Sequence, residues 1–252
     1  MANDKNNEEF NKWMKEFYEA KPKIVGKGDY EYYRWFSSER RKMQYEFSLK
    51  ILLHLKNIKA EKILEIGCGP GTWTKILLKK YPKANIECVE LSSSMSEQFK
   101  KNIKNKRIKI NVKSFLDFYT NKRYDFVFSS RAIEYIPNKK KIVDKIWKFM
   151  EKRGKGVIIT SPPHPFLLSI KRAFGKKIDK EHIDRISTDK IKILLQNKGF
   201  VNLEFYPILF TDNLPKTIRR FLWNKLYNKK FGLLSKIFAS GYLVKFEKPD
   251  KR

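Results

Sequence analysis

The sequence predicts an α/β fold: a seven-stranded, mostly parallel sheet with helices on both faces and a helical cap ahead of it. Two observations carry that prediction. Apolar runs of strand length alternate with amphipathic stretches across residues 61–160, and such alternation builds parallel sheets through crossover helices. The run Ile63-Leu64-Glu65-Ile66 then meets glycines at 67, 69 and 71, the pattern of a strand, a tight turn and a helix start. At 252 residues the chain suits one domain with additions.

The elements follow in order. Residues 1–60 read as a helical N-terminal cap: Phe10, Trp13, Met14, Phe17 and Tyr18 share one helix face. The aromatic cluster Tyr30-Glu31-Tyr32-Tyr33-Arg34-Trp35-Phe36 comes next, and a helix from Glu39 to Asn57 leads into the sheet. These aromatics read either as packing against the sheet or as a roof over a cationic ligand, because aromatic faces attract cations. Residues 61–160 form the core, with strands near 62–66, 85–90, 108–113, 124–130 and 155–160 and helices near 72–81, 93–104 and 139–151. Residues 161–252 form the remaining half, with strands near 201–206 and 241–247 and two basic amphipathic insertions. The first insertion mixes Phe166, Leu167, Leu168, Ile170 and Phe174 with Lys171, Arg172, Lys176 and Lys177. In the second, Ile218, Phe221, Leu222, Leu226 and Tyr227 alternate with Arg219, Arg220, Lys225, Lys229 and Lys230. Each reads as a packing helix with a lysine-rich outer face, or as a helix lying on an anionic membrane surface.

The glycine turn carries the chemistry. A dinucleotide fingerprint would space its glycines as Gly-x-Gly-x-x-Gly; here Gly67, Gly69 and Gly71 alternate. Glu65 stands just before the turn, which sets a carboxylate facing whatever lies over the glycines and suits an ammonium group better than a pyrophosphate. The strand Ile86–Val89 ends in Glu90, where an acid can accept both hydroxyls of a ribose.

With these residues the chain resembles the class I S-adenosylmethionine-dependent methyltransferases, whose first motif looks like Glu65-Ile66-Gly67-Cys68-Gly69-Pro70-Gly71. The resemblance implies a Rossmann-like sheet with its last strand antiparallel, S-adenosyl-L-methionine as cofactor, and Glu90 and Leu91 at the ribose. It also implies adenine contacts at Ser114 and Phe115. The family usually carries aspartate where Ser114 stands, so either Ser114 makes that contact or Asp117 supplies the charge. Ser129-Ser130-Arg131-Ala132-Ile133-Glu134-Tyr135-Ile136-Pro137 is similar to the family loop under the methionine end of the cofactor, with Tyr135 in place of a histidine. That similarity places Ser130 at the cofactor and Arg131 near the transferred methyl, where it can bind an anionic acceptor. Ser161-Pro162-Pro163-His164 imitates an amino-methyltransferase motif but follows the wrong strand and lacks the aromatic fourth residue. His182, ahead of the sixth strand, is similar to a family histidine that points at the acceptor. His182 and His164 are the candidate bases for a hydroxyl acceptor, with an unperturbed pKa near ~6.5.

Composition bounds the rest. No run approaches the ~20 apolar residues of a membrane span, and residues 1–20 are too charged for a signal peptide. Cys68 and Cys88 read as reduced thiols, and neither they nor His54, His164 and His182 have metal-ligand spacing. A cytoplasmic protein, with a peripheral membrane contact as the alternative, is expected. The formal charge of +29 comes mostly from lysine, whereas base-reading surfaces lean on arginine. The function expected is methyl transfer to a small-molecule or lipid-linked acceptor, oxygen favoured over nitrogen. An RNA methyltransferase, carried by charge alone, and a non-catalytic cofactor-binding partner subunit are the alternatives.

Overall fold

In the computed structural model the described residues are 9, 12–20, 30–56, 58–163, 185–210, 215–226, 232, 235 and 239–250. Helices α1 (12–20), α2 (Tyr30–Trp35) and α3 (Glu39–His54) precede the sheet. The core then alternates β1 (Lys62–Ile66), α4 (Thr72–Lys80), β2 (Asn85–Glu90), α5 (Ser93–Asn102), β3 (Ile108–Val112), β4 (Tyr124–Ser130), α6 (Lys139–Phe149) and β5 (Met150–Thr160). After it come α7 (Thr188–Lys198), β6 (Val201–Phe210), α8 (Lys216–Leu226) and β7 (Ala239–Glu247).

The seven strands lie in the order β3-β2-β1-β4-β5-β7-β6. Strands β1 to β5 pair in parallel, and β7 pairs antiparallel with both β5 and β6. From β1 the chain winds outward through β2 and β3, then returns to the other side of β1 for β4 and β5. The reversal puts a topological switch point between β1 and β4, where open parallel sheets open a crevice at their carboxyl ends.

Side-chain alternation along each strand divides the core into two layers. Ile63, Phe126, Phe128 and Val157 face α3 and α4 through Phe47, Leu52, Trp73 and Leu77. Leu64, Val127, Ile158 and Val244 face α6 and α7 through Ile142, Ile146, Ile191 and Leu195. Both faces of the central strands are covered, which is why those strands read as continuous apolar runs.

Several boundaries differ from expectation. Strand β5 begins at Met150, not Lys155, because Met150 already pairs with Tyr124 across an irregular register. Strand β6 runs on through Pro207 to Phe210; it is the sheet's last strand, and an edge tolerates a proline that cannot donate to the ladder. Helix α8 is anchored by Trp223, whose ring stacks on Phe47 at 3.6 Å. Ile218 and Phe221, expected on the packed face, are exposed. The segment 166–177 lies outside the described residues. Among the described residues no helix is long and apolar enough to cross a membrane.

Candidate functional site

At the switch point a cleft of about 930 Å³ of empty space, part of it open to solvent, lies over the carboxyl ends of β1, β2 and β4. Its floor is the turn after β1. Gly67 and Gly69 take positive φ angles of 71° and 54°, a region that glycine enters without a steric penalty. Gly67 has a second reason to lack a side chain, because an added Cβ would come within 2.1 Å of the Ala132 Cβ. The turn and the loop after β4 can therefore approach each other closely. Gly71 does not line the cleft; with φ at 95° it caps the start of α4.

Glu90, at the tip of β2, lines the cleft, and its carboxylate accepts from the backbone amides of Gly69 at 2.8 Å and Ser92 at 3.0 Å. Burial pushes its pKa above the ordinary carboxylate range, against the pull of those amides. Glu65 behaves differently. Strand alternation turns Ile66 into the cleft and Glu65 toward α4, where it accepts from the Thr74 hydroxyl at 2.6 Å beside the Cys88 thiol. Its carboxylate thus does not face the space above the glycines; it lies beneath the turn, and burial pushes its pKa up to about 7.

Cys68, Leu91, Ser114, Phe115, Ser130 and Arg131 all line the cleft. Ser114 also accepts from the Leu116 amide at 3.2 Å and so caps a short 3-10 turn. Asp117, the other candidate for the adenine contact, is exposed at the end of that turn. His164 and His182 lie outside the described residues.

The far end of the cleft holds groups that sequence reasoning did not combine. Arg131, with φ at 58°, sends its guanidinium to Glu134 Oε1 at 3.0 Å and to the Ser161 hydroxyl. The Glu134 Oε2 accepts from the Thr160 hydroxyl at 2.9 Å and the Ser161 amide at 3.0 Å. Burial works most strongly against the charge on Arg131, but Glu134 together with Tyr135 and Tyr18 outweighs it and raises the guanidinium pKa. Glu134 is held below the ordinary range despite complete burial, chiefly by Arg131 and then Arg185. Arg34, whose guanidinium lies over the Trp35 ring at 4.3 Å, opens onto the same space. Burial and the charge of Arg131 hold its pKa below the usual guanidinium value.

Tyr18, Tyr30 and Tyr135 complete this end, with Tyr18 edge-on to Tyr135 at 5.7 Å. Burial pushes the phenols of Tyr18 and Tyr135 upward. Met14 and Tyr18 bring α1 over the cleft. Glu19 secures that helix by accepting from the Ser93 amide at 2.6 Å and the Ser94 amide at 3.1 Å, at the start of α5. The one local signal for this cluster was the i, i+3 spacing of Arg131 and Glu134.

The methyltransferase domain model matches residues 39–204. A malonyl-[acyl-carrier protein] O-methyltransferase of Ilyobacter polytropus is 33% identical over 93 residues, covering 36% of this chain and 36% of that protein. The chain thus spans about a third of that relative's length. A ribosomal RNA small subunit methyltransferase A of Mycoplasmopsis synoviae is 26% identical over 187 residues, covering 68% of this chain and 70% of that protein. Among solved structures, the Haemonchus contortus phosphoethanolamine N-methyltransferase 2, in complex with phosphomonomethylethanolamine and S-adenosylhomocysteine, aligns with a TM-score of 0.60. Its identity is 17%, over 81% of this chain and 53% of that one.

Proposed function

The chain belongs to the class I S-adenosylmethionine-dependent methyltransferase family, and from that premise we propose that it moves a methyl group onto an oxygen of a small-molecule or lipid-linked acceptor. The observation that carries this reading is the single continuous cleft, with a glycine turn and a buried acid at one end and an aromatic, cationic chamber at the other. A nucleoside-bearing cofactor fits the first end. The Glu90 carboxylate is fixed by two backbone amides, and no heavy atom lies within 4 Å of where a Cβ on Gly69 would stand.

S-adenosylmethionine, when bound, supplies a sulfonium methyl carbon open to attack by a nucleophile. The chain's own residues then have three tasks. Glu90 accepts ribose hydroxyls, Ser114 and Phe115 border the base, and Glu65 stiffens the turn from below through Thr74. Met14, Tyr18, Tyr30 and Trp35 enclose the space, which excludes water and fixes orientation; such positioning can supply effective molarities of ~10⁵–10⁸ M. Tyr18 and Tyr135, with raised pKa values, stay protonated at neutral pH and serve as hydrogen-bond donors, not bases.

The similarity to malonyl-[acyl-carrier protein] O-methyltransferases supports an oxygen acceptor on a carrier-linked acid. A second reading, an RNA acceptor, is favoured by the length of the match to the ribosomal RNA methyltransferase and by the +29 charge. Exocyclic-amine methylation of its bases is disfavoured by the sequence after β4, where Ser130-Arg131-Ala132 stands instead of an Asn/Asp-Pro-Pro-aromatic motif. The test is transfer of radiolabelled methyl from S-adenosylmethionine to malonyl-acyl-carrier protein, to lipid extract and to ribosomal RNA in parallel. Base-labile label on the carrier or lipid supports the proposal; label confined to RNA contradicts it.

A further inference from the structure

Building on the proposed reading of the cleft as a methyltransferase site, we infer that its far end is an anion pocket in which Arg34 and Arg131 hold a carboxylate of the methyl acceptor, Arg185 adds its charge from behind the lining, and Glu134 is the positioning residue for Arg131. Cationic charge is concentrated here. Arg34 and Arg131 open onto one chamber; Arg185, just ahead of α7, stands behind that lining, with its charge acting on both Arg131 and Glu134. Against these three cations the described residues set one carboxylate, Glu134. Its Oε2 is engaged by the Thr160 hydroxyl and the Ser161 amide, while its Oε1 lies 3.0 Å from the Arg131 guanidinium as an ion pair with no hydrogen bond among the described residues. Like charges gathered away from water raise the free energy of the empty protein. The cost is offset when an anion arrives.

Unused hydrogen-bonding capacity points the same way. The Nε atoms of Arg131 and Arg185 are buried without a hydrogen-bond partner. Among the described residues Arg34 donates to the side-chain oxygen of Gln44 at a long 3.4 Å, with its guanidinium over Trp35. Buried donors of charged groups are normally satisfied, and a guanidinium fork pairs two donors with two oxygens of an oxyanion. Glu134, itself held by the Thr160 hydroxyl and the Ser161 amide, fixes the Arg131 guanidinium, so the pocket is assembled before any acceptor enters.

A carboxylate acceptor fits the chemistry of this chamber better than a hydroxyl. Methyl transfer to a hydroxyl requires a proton to leave, and the tyrosines lining the chamber are poor bases. A carboxylate oxygen is already deprotonated at neutral pH. Its own lone pair would form the new C–O bond to the methyl as the C–S bond of the sulfonium breaks and the pair leaves on the neutral thioether, with no proton to remove, while the guanidiniums fix its second oxygen or a neighbouring carboxylate.

The experiment is calorimetric titration of the full-length protein, with and without saturating S-adenosylhomocysteine, using sodium malonate and inorganic phosphate as probes. Malonate should bind saturably and more tightly than phosphate. Arg34→Gln and Arg185→Gln should each weaken malonate tenfold or more while changing S-adenosylhomocysteine affinity less than twofold. Their thermal midpoints should stay level or rise, because each removes a repelled cation; a merely structural arginine would lower them. Arg34→Lys, which keeps the charge but loses the fork, should also weaken malonate. Lys104→Gln, an exposed change of the same charge far from the cleft, should not. Malonate affinity unchanged in both glutamine variants, or phosphate bound as tightly as malonate, would overturn the inference. Failure of the wild-type protein to bind S-adenosylhomocysteine would instead strike the cofactor reading, and the malonate titration without it still decides the anion pocket.

Discussion

The two ends of the cleft are built by opposite means. At the turn after β1, the work is done by backbone: positive-φ glycines, amide groups of Gly69 and Ser92, and one acid on each of two neighbouring strands. At the loop after β4, it is done by long side chains from separate segments: Arg131 pairs with Glu134, Arg34 opens onto the same space, and the charge of Arg185 acts on Glu134. The first end is acidic and local in sequence; the second is cationic and assembled only by folding. A site that binds a common cofactor and a particular acceptor can divide its labour in this way, since one fold hosts many chemistries.

The largest expected effect breaks the cationic end. Glu134→Ala leaves Arg131 buried without its carboxylate, and breaking such a pair costs about 3–5 kcal/mol. Chemical denaturation should register that loss, and a variant within 1 kcal/mol of wild type, on the order of a surface change, would mean that Glu134 does not hold the cluster together.

The acidic end should answer to pH instead. The folded pKa of Glu65 is raised to about 7 from an ordinary 4.5. Its favourable contribution is therefore complete below the unfolded value and is lost as pH rises toward and through 7. The loss amounts to roughly 3 kcal/mol. Glu65→Gln should flatten the stability profile between those two values and be the more stable protein above the upper one. Parallel profiles for the two proteins would show that Glu65 titrates normally.

A smaller effect is expected in binding. Glu90→Ala should weaken S-adenosylhomocysteine by about 1–3 kcal/mol, the scale of a charged hydrogen bond, without altering malonate affinity. Equal losses on both ligands would erase the division between the two ends. Smallest is Ser114→Ala, expected to cost about 0.5–1.5 kcal/mol of cofactor affinity, as one neutral hydrogen bond. No change at all would assign Ser114 to capping its own 3-10 turn.

The same contrast explains what the sequence made legible. Strand β1, the turn at Gly67–Gly71, β2 with Glu90, and the parallel order of the core follow from local periodicity and spacing, and the fold is as expected. The direction of Glu65 was misread because its position before the turn suggested the cleft, whereas strand alternation commits it to the α4 face with Ile63. Helix ends fall one to three residues short of expectation, at Lys80 rather than 81, at Asn102 rather than 104 and at His54 rather than Asn57. Trp223 was passed over because Phe221 and Leu222 beside it fit the apolar period equally well. The arginine cluster has no spacing rule: Arg34 sat inside an aromatic run, and Arg185 lies 54 positions beyond Arg131. Only the sheet brings them together.

The account stands most directly on cofactor binding at the turn after β1. Calorimetric titration of the purified, nucleic-acid-free protein with S-adenosylhomocysteine should give saturable binding to one site per chain, weakened in Glu90→Ala and unchanged in Arg185→Gln. No binding by the folded wild-type protein, or binding that Glu90→Ala leaves intact, would contradict it.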